Sequence, residues 1–187
     1  MNPDDSAALI LAALDRHGIP HMVAGSHASS YHGDPRTTND IDLVIQPTKA
    51  ALEAFVAALS ADRFYVSPEA AVEAYRRRGM FNVIDMETGL KIDLVLRKNR
   101  AFSEREFERR LPATIFGLPV FVATPEDTIL SKLEWALAGG SERQLRDVAG
   151  VVAMTGAALD RAYIEHWARE LGVSALWERV LREAASG

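Results

Sequence analysis

Apolar positions recur along this chain with two periods, and each change of period marks an element. Leu9, Ile10, Ala13, Leu14 and His17 fall three and four residues apart, which predicts a helix over about 4–17, closed by Gly18 with Pro20 beyond. Residues 19–24 read as a short strand ending at Gly25-Ser26. A short helix is then predicted over 27–32, with Ser26 as its N-cap. From Asp40 to Ile45 the period drops to two: Ile41, Leu43 and Ile45 face one way, Asp40, Asp42 and Val44 the other. Pro47-Thr48 opens a helix with the stripe Leu52, Phe55, Val56 and Leu59. Ser67-Pro68 opens another that ends in Arg76-Arg77-Arg78-Gly79, basic charge where the helix dipole favours it.

Two strands, 80–85 and 90–96, flank the hairpin signal Glu87-Thr88-Gly89. In the second, Leu90, Ile92, Leu94 and Leu96 share a face, with Lys91, Asp93 and Val95 opposite, so an acid interrupts an apolar strand as at Asp40 and Asp42. Ser103-x-x-Glu106 has the spelling of a capping box, and 113–115 and 120–122 read as a second hairpin across Phe116-Gly117-Leu118-Pro119. Past Ala123 the pattern is wholly helical. Thr124-Pro125 starts a helix with Ile129, Leu130, Leu133 and Leu137 inward, stopping at Gly139-Gly140. Ser141-x-x-Gln144 caps the next, to about Met154, and helices over 160–171 and 174–185 follow. The expected fold is α/β (α+β): a small mixed β-sheet core with flanking helices over residues 1–122, and a C-terminal helical subdomain over 123–187.

The chemistry concentrates where the strands carry acids. Asp40 and Asp42 converge on one side of one strand, where two unpaired carboxylates repel unless a cation lies between them. A hard divalent ion bound through oxygen, Mg²⁺, removes that conflict. Gly25 lets backbone approach a ligand closely, and a helix capped at Ser26 turns its free N–H groups toward a phosphate. A phosphate cradle beside paired acids points to phosphoryl or nucleotidyl transfer. No GxxxxGK[ST], GxGxxG or HExxH competes with this reading.

Gly-Ser, thirteen residues and then Asp-Ile-Asp resembles the signature of the polymerase-β-type nucleotidyltransferase superfamily. The spelling Arg36-x-Thr38-x-Asp40-x-Asp42 resembles, within it, the AbiEii-type toxins of toxin–antitoxin systems. The resemblance implies a catalytic set and two Mg²⁺ ions. Asp40 and Asp42 would bridge both ions to a nucleoside triphosphate, and Asp93 would hold the catalytic ion and accept the proton of the attacking hydroxyl. Gly25 and Ser26 would hold the β- and γ-phosphates while the hydroxyl attacks the α-phosphate and pyrophosphate leaves. The downstream lysine and aspartate of such toxins map to Lys132 and Asp147, with Arg143 or Arg146 as further phosphate contacts. By their positions alone, Lys132 and Asp147 lie on successive helices that would bring them together, and an ordinary surface ion pair stays open. Arg36 reads equally as a phosphate clamp or a loop salt bridge. The implied acceptor is RNA or tRNA, with a cognate antitoxin as partner. A small-molecule, antibiotic-type nucleotidyltransferase and a non-catalytic nucleotide- or partner-binding module stay open beside it.

Composition narrows the classes. A chain of 187 residues with 48% hydrophobic and 25% charged residues has the balance of a globular domain able to bury a core. The absence of cysteine excludes disulfides, thiolate metal sites and cysteine nucleophiles, and fits a cytoplasmic setting. The apolar run 6–14 is too short to span a bilayer, and Asp4-Asp5 stands where a secretory signal needs basic residues, so neither membrane nor export is expected. A net charge of −5 argues against nucleic-acid binding by the whole surface, although 97–110 carries six basic residues against three acids. The histidines between 17 and 32 are not spaced as a metal set: His27 and His32 are five apart, and no cysteine completes a zinc site. Trp135, Trp167 and Trp177 stand at helical spacing and are expected to pack between helices.

Overall fold

The structure, a computed structural model, describes residues 3–35, 38 and 40–186, so Arg36 lies outside the described residues. The elements in chain order are α1 (Pro3–Arg16), β1 (His21–Val23), α2 (Gly25–His32), β2 (Asp40–Ile45), α3 (Lys49–Ala58), β3 (Phe64–Val66) and α4 (Pro68–Arg77). They continue with β4 (Met80–Asp85), β5 (Lys91–Leu96), α5 (Ala101–Arg109), β6 (Leu111–Ile115), β7 (Leu118–Val122), α6 (Pro125–Gly139), α7 (Glu142–Thr155), α8 (Arg161–Glu170) and α9 (Ser174–Ser186). The fold is mixed α/β, with a small sheet flanked by helices and a helical C-terminal part. The chain divides into two compact units, Met1–Ala24 with Thr38–Val122, and Gly25–Thr37 with Ala123–Gly187.

The first unit holds one seven-stranded sheet in the order β3-β4-β5-β2-β1-β7-β6. β2 runs parallel to β5 and β1 parallel to β7; the remaining neighbours are antiparallel. The alternation read along the strands is realised. Ile41, Leu43, Ile45, Ile92, Leu94, Leu96, Phe81 and Val83 are buried, as are Ile10, Leu14, Leu52 and Phe55 from α1 and α3. Burying each such side chain stabilises the fold by about 1.5–3 kcal/mol before chain entropy is counted, so this face anchors the sheet.

Three local features differ from the expected ones. β3 is an edge strand of three residues, too short to carry a legible period, and its register with β4 supplies what its own sequence lacks. Ser103 and Glu106 form no capping box. The helix starts earlier because Phe102 is drawn into the core, and Arg100 flanks it without a side-chain cap, donating from Nε to Ser103 Oγ at 3.0 Å. The second hairpin turns on Phe116 and Gly117 alone, at φ +57° and +68°, so β6 and β7 are longer than expected. Two positive φ values are those of the primed turn that matches strand twist.

Asp85, fully buried where β4 ends, ties the far edge of this unit together. Arg63 Nε and Nη2 donate to its Oδ2 at 3.1 and 3.0 Å, and the Glu87 N–H to its Oδ1 at 2.8 Å. Arg63 also donates to Ser6 Oγ at 3.4 Å, linking α1 to the same knot.

The second unit packs α2 with α6, α7, α8 and α9. Thr124 caps α6 as the sequence predicts, accepting from the Asp127 N–H at 3.1 Å, with Pro125 at the first helical position and Gly140 in the left-handed conformation at the other end. Asp127 is fully buried and accepts from Thr124 Oγ1 at 2.6 Å and from Tyr163 OH at 2.7 Å, which fastens α8 to α6. Ser141 makes no side-chain cap on α7, and Gln144 of that expected box turns to Lys132 instead. Gly33 ends α2 against α7 so closely that a Cβ there would lie 2.8 Å from the Val151 backbone nitrogen. Among the described residues no helix is long and apolar enough to cross a membrane.

Candidate active site

The acids of the sheet are placed by register. β2 and β5 run parallel with Asp42 opposite Asp93 and Asp40 opposite Lys91, so all four side chains leave the same face. β4 extends the row antiparallel, with Asn82 opposite Asp93. Two rows result: Asp40 beside Lys91, and Asp42, Asp93 and Asn82 abreast. The opposite face is the apolar core described above, which is why these polar side chains cannot turn inward.

Burial grades the three acids. Asp40 is exposed, Asp42 half-buried and Asp93 buried at 6%. Lys91, on the same face, donates from Nζ to Asp93 Oδ2 at 2.8 Å and stands 3.7 Å from Asp40 Oδ2. That hydrogen bond raises the Lys91 pKa above the ordinary lysine value; burial opposes it, and the charges of Asp93, Asp40 and Asp42 add to it. The other oxygen of Asp93, Oδ1, is buried and has no hydrogen-bond partner among the described residues. A buried carboxylate oxygen without a donor is costly and marks a position that a cation or an incoming hydroxyl would satisfy.

Whether the set suits Mg²⁺ turns on this atom. Among the described residues no group of three His, Asp or Glu side chains is drawn together so as to hold a metal ion as it stands. In this arrangement the ammonium of Lys91 takes up Asp93 Oδ2 and lies toward Asp40. The donor chemistry nonetheless fits: three carboxylates on adjacent strands, one with an unpartnered oxygen, are the hard oxygen donors that Mg²⁺ takes.

In the second unit, Lys132 and Asp147 meet as the successive helices predict, and not at the surface. Lys132 is 3% exposed and donates to Asp147 Oδ2 at 2.7 Å and to Gln144 Oε1 at 2.9 Å. A buried lysine needs such partners to remain charged. Gly25 has φ +55° and is itself the first residue of α2, so Ser26 lies in the first turn and is not the N-cap. That positive φ is one glycine adopts without strain, so the chain can turn sharply at Gly25 into the right-handed helix that follows. The N–H groups of that first turn still lack helical acceptors by geometry. Arg143 and Arg146 are exposed on α7.

Sequence reasoning placed Lys91 on the acid face without giving it a part. The signal was present as Lys-x-Asp in a strand, where period two makes the two side chains neighbours. Asn82 had no such signal, because only the hairpin register sets it beside Asp93.

Over residues 28–178 the sequence matches the family described as Nucleotidyl transferase AbiEii toxin, Type IV TA system, and the chain belongs to that family. Its fold is that of the polymerase-β nucleotidyltransferase superfamily. Solved structures with a similar fold include the antibiotic-resistance factor ANT(2'')-Ia in solution, at 18% identity and TM-score 0.57 over 89% of this chain and 93% of that one. The crystal structure of ANT(2'')-Ia with adenylyl-2''-tobramycin aligns over 94% and 97% of the two chains, at 18% identity and TM-score 0.55. An antigenic nucleotidyltransferase-like protein from Paracoccidioides brasiliensis aligns at 17% identity and TM-score 0.53, over 93% and 91%. No curated protein matches the sequence.

Proposed function

We propose that this protein is a Mg²⁺-dependent nucleotidyltransferase that moves a nucleoside monophosphate from a nucleoside triphosphate to a hydroxyl acceptor. The observation that carries the reading is Asp93, buried opposite Asp42 with one oxygen unpartnered, on a strand whose other face is core. Asp40, Asp42 and Asp93 are the residues that would hold two Mg²⁺ ions, whose charge would neutralise the triphosphate and stabilise the displaced oxygens. Asp93 Oδ1 is the atom assigned to accept the proton of the attacking hydroxyl. In the second unit, Gly25 and Ser26 at the head of α2 are assigned to the β- and γ-phosphates. Lys132, held by Asp147 and Gln144, is assigned to a distal phosphate. Arg36 keeps its assignment as a phosphate clamp from the sequence alone.

The acceptor reading shifts toward a compact small molecule. The arginines of the two basic segments are largely engaged within the chain. Arg76 and Arg77 pair with Glu73, Arg97 with Glu104 and Arg105 with Glu108, and Arg110 packs over the rings of Phe107 and Phe121. That leaves less free positive charge to follow an RNA backbone. The alignment with ANT(2'')-Ia, which spans nearly the whole of both chains, supports the same acceptor class. The second reading is an RNA- or tRNA-modifying toxin with a cognate antitoxin, and membership of the AbiEii family favours it.

The test is direct. Purified protein is incubated with each α-labelled nucleoside triphosphate and Mg²⁺, in parallel with aminoglycosides and with total RNA. Label on the aminoglycoside supports the first reading and label on RNA the second. Absence of transfer to either, with no pyrophosphate released, overturns the enzymatic assignment.

A further inference from the structure

We infer that Lys91 is a tethered counter-cation: in the metal-free protein its ammonium holds the acids of β2 and β5 together, and it must yield Asp93 when a divalent ion is loaded. The inference rests on the metal-dependent reading above and adds a residue to which that reading gives no part.

The geometry is specific. Lys91 is the register partner of Asp40 and lies two residues from Asp93 on the same face, so it reaches both acids without leaving its strand. Its Nζ is 2.8 Å from Asp93 Oδ2 and 3.7 Å from Asp40 Oδ2. Three carboxylates on one face of two adjacent strands repel one another. One ammonium among them offsets part of that repulsion and leaves a local charge suited to a divalent ion. The lysine side chain is about one-third exposed at 34%, whereas that of Asp93 is 8% exposed, so the ammonium has room to leave toward solvent and the acid does not. An ammonium hydrogen-bonded to a carboxylate oxygen and a cation on that same oxygen exclude each other by charge and by volume.

The consequence is a site that takes a bare metal ion weakly. A divalent ion arriving alone must displace Lys91, while one arriving on a triphosphate brings anionic oxygens that can receive the released ammonium. Lys91 is thus a positioning residue acting through the acids, and it biases the enzyme toward the metal–nucleotide complex over free metal.

The test measures Mn²⁺ binding without nucleotide, by the electron paramagnetic resonance of free Mn²⁺, in the parent, Lys91→Gln and Lys91→Arg. Lys91→Gln should bind Mn²⁺ roughly tenfold or more tightly than the parent, the scale on which one neighbouring charge shifts an acid's equilibrium. Lys91→Arg, which keeps the charge, should stay near the parent. A melting scan of metal-free Lys91→Gln should show a lower midpoint that Mn²⁺ restores. A purely structural lysine would lower the midpoint without tightening Mn²⁺ binding, and that result overturns the inference.

Should Lys91→Gln fail to fold, the parent decides. Acetylation of Lys91, followed by peptide mass spectrometry, should increase on saturation with Mn²⁺, and unchanged or reduced labelling counts against displacement. If the parent binds Mn²⁺ with a non-hydrolysable triphosphate but Lys91→Gln gains nothing without it, only this inference falls. If no protein binds Mn²⁺ under either condition, the metal-dependent reading falls with it.

Discussion

Asp42 and Asp93 are register partners on adjacent parallel strands, yet only Asp93 is buried and only Asp93 is hydrogen-bonded to Lys91. Two acids in one row therefore carry different structural burdens, and substitution should separate them.

Asp42→Asn and Asp93→Asn should each reduce nucleotidyl transfer by at least a hundred- to thousandfold, roughly the loss on removing one group that stabilises transition-state charge. Their metal-free stabilities should diverge. Asp93→Asn takes the charged hydrogen-bond partner from Lys91 and should lower the melting midpoint further than Asp42→Asn, which leaves that bond in place. Calorimetric scans in EDTA read the difference; equal shifts would contradict the division of roles.

Lys132→Met should destabilise the protein by about 3 kcal/mol, because it breaks the buried ion pair with Asp147 from one side only. The double variant Lys132→Met/Asp147→Leu should recover most of that loss while staying inactive. Urea unfolding gives the stabilities and pyrophosphate release the activity. A double variant with restored transfer would remove Lys132 from the site.

Gly33→Ala should destabilise by about 1–3 kcal/mol, since its Cβ would meet backbone at Val151, Gly150 and Ser29, none of which can swing aside. Gly139→Ala, in α6 with nothing within contact distance, should be neutral or stabilising. Thermal denaturation of the pair checks this, and similar midpoints would refute the tight α2–α7 packing.

Asp85 sets a pH dependence. Burial pushes its carboxyl up, but hydrogen bonds from Ser6, the Glu87 N–H, Arg63 and the Thr88 N–H outweigh it, and its pKa lies below the ordinary carboxylate value. The unfolded chain therefore binds the proton first, so Asp85 contributes full stability above the ordinary carboxylate pKa of about 4 and loses it as pH falls through its lowered folded value. Asp85→Asn should be markedly less stable than the parent at pH 7 and close to it once the parent's carboxyl is protonated. Urea unfolding at a series of pH values measures the gap, and a gap independent of pH would contradict this account.

Much of this was written in the sequence. Period two in 40–45 and 90–96 fixed which face each acid takes, because successive strand side chains must alternate. Ser67-Pro68, Thr124-Pro125 and Gly140 set helix ends through backbone preferences that operate locally. The meeting of Lys132 and Asp147 followed from two helices joined by a short turn.

Other features depended on partners far along the chain. The capping boxes at Ser103 and Ser141 failed because Phe102 is buried and Gln144 is taken by Lys132, and burial and long-range bonds outweigh a cap of about 1 kcal/mol. β3 exists only as a neighbour of β4, and Asn82 reaches Asp93 only through hairpin register. The pairing of Lys91 with Asp93 needed a strand to form, and its place beside Asp40 needed β5 to dock parallel to β2. Local sequence thus determined direction and periodicity, since these follow from the geometry of single elements. Tertiary structure alone decided which charged groups on different strands face one another, because that depends on register between strands far apart in the sequence.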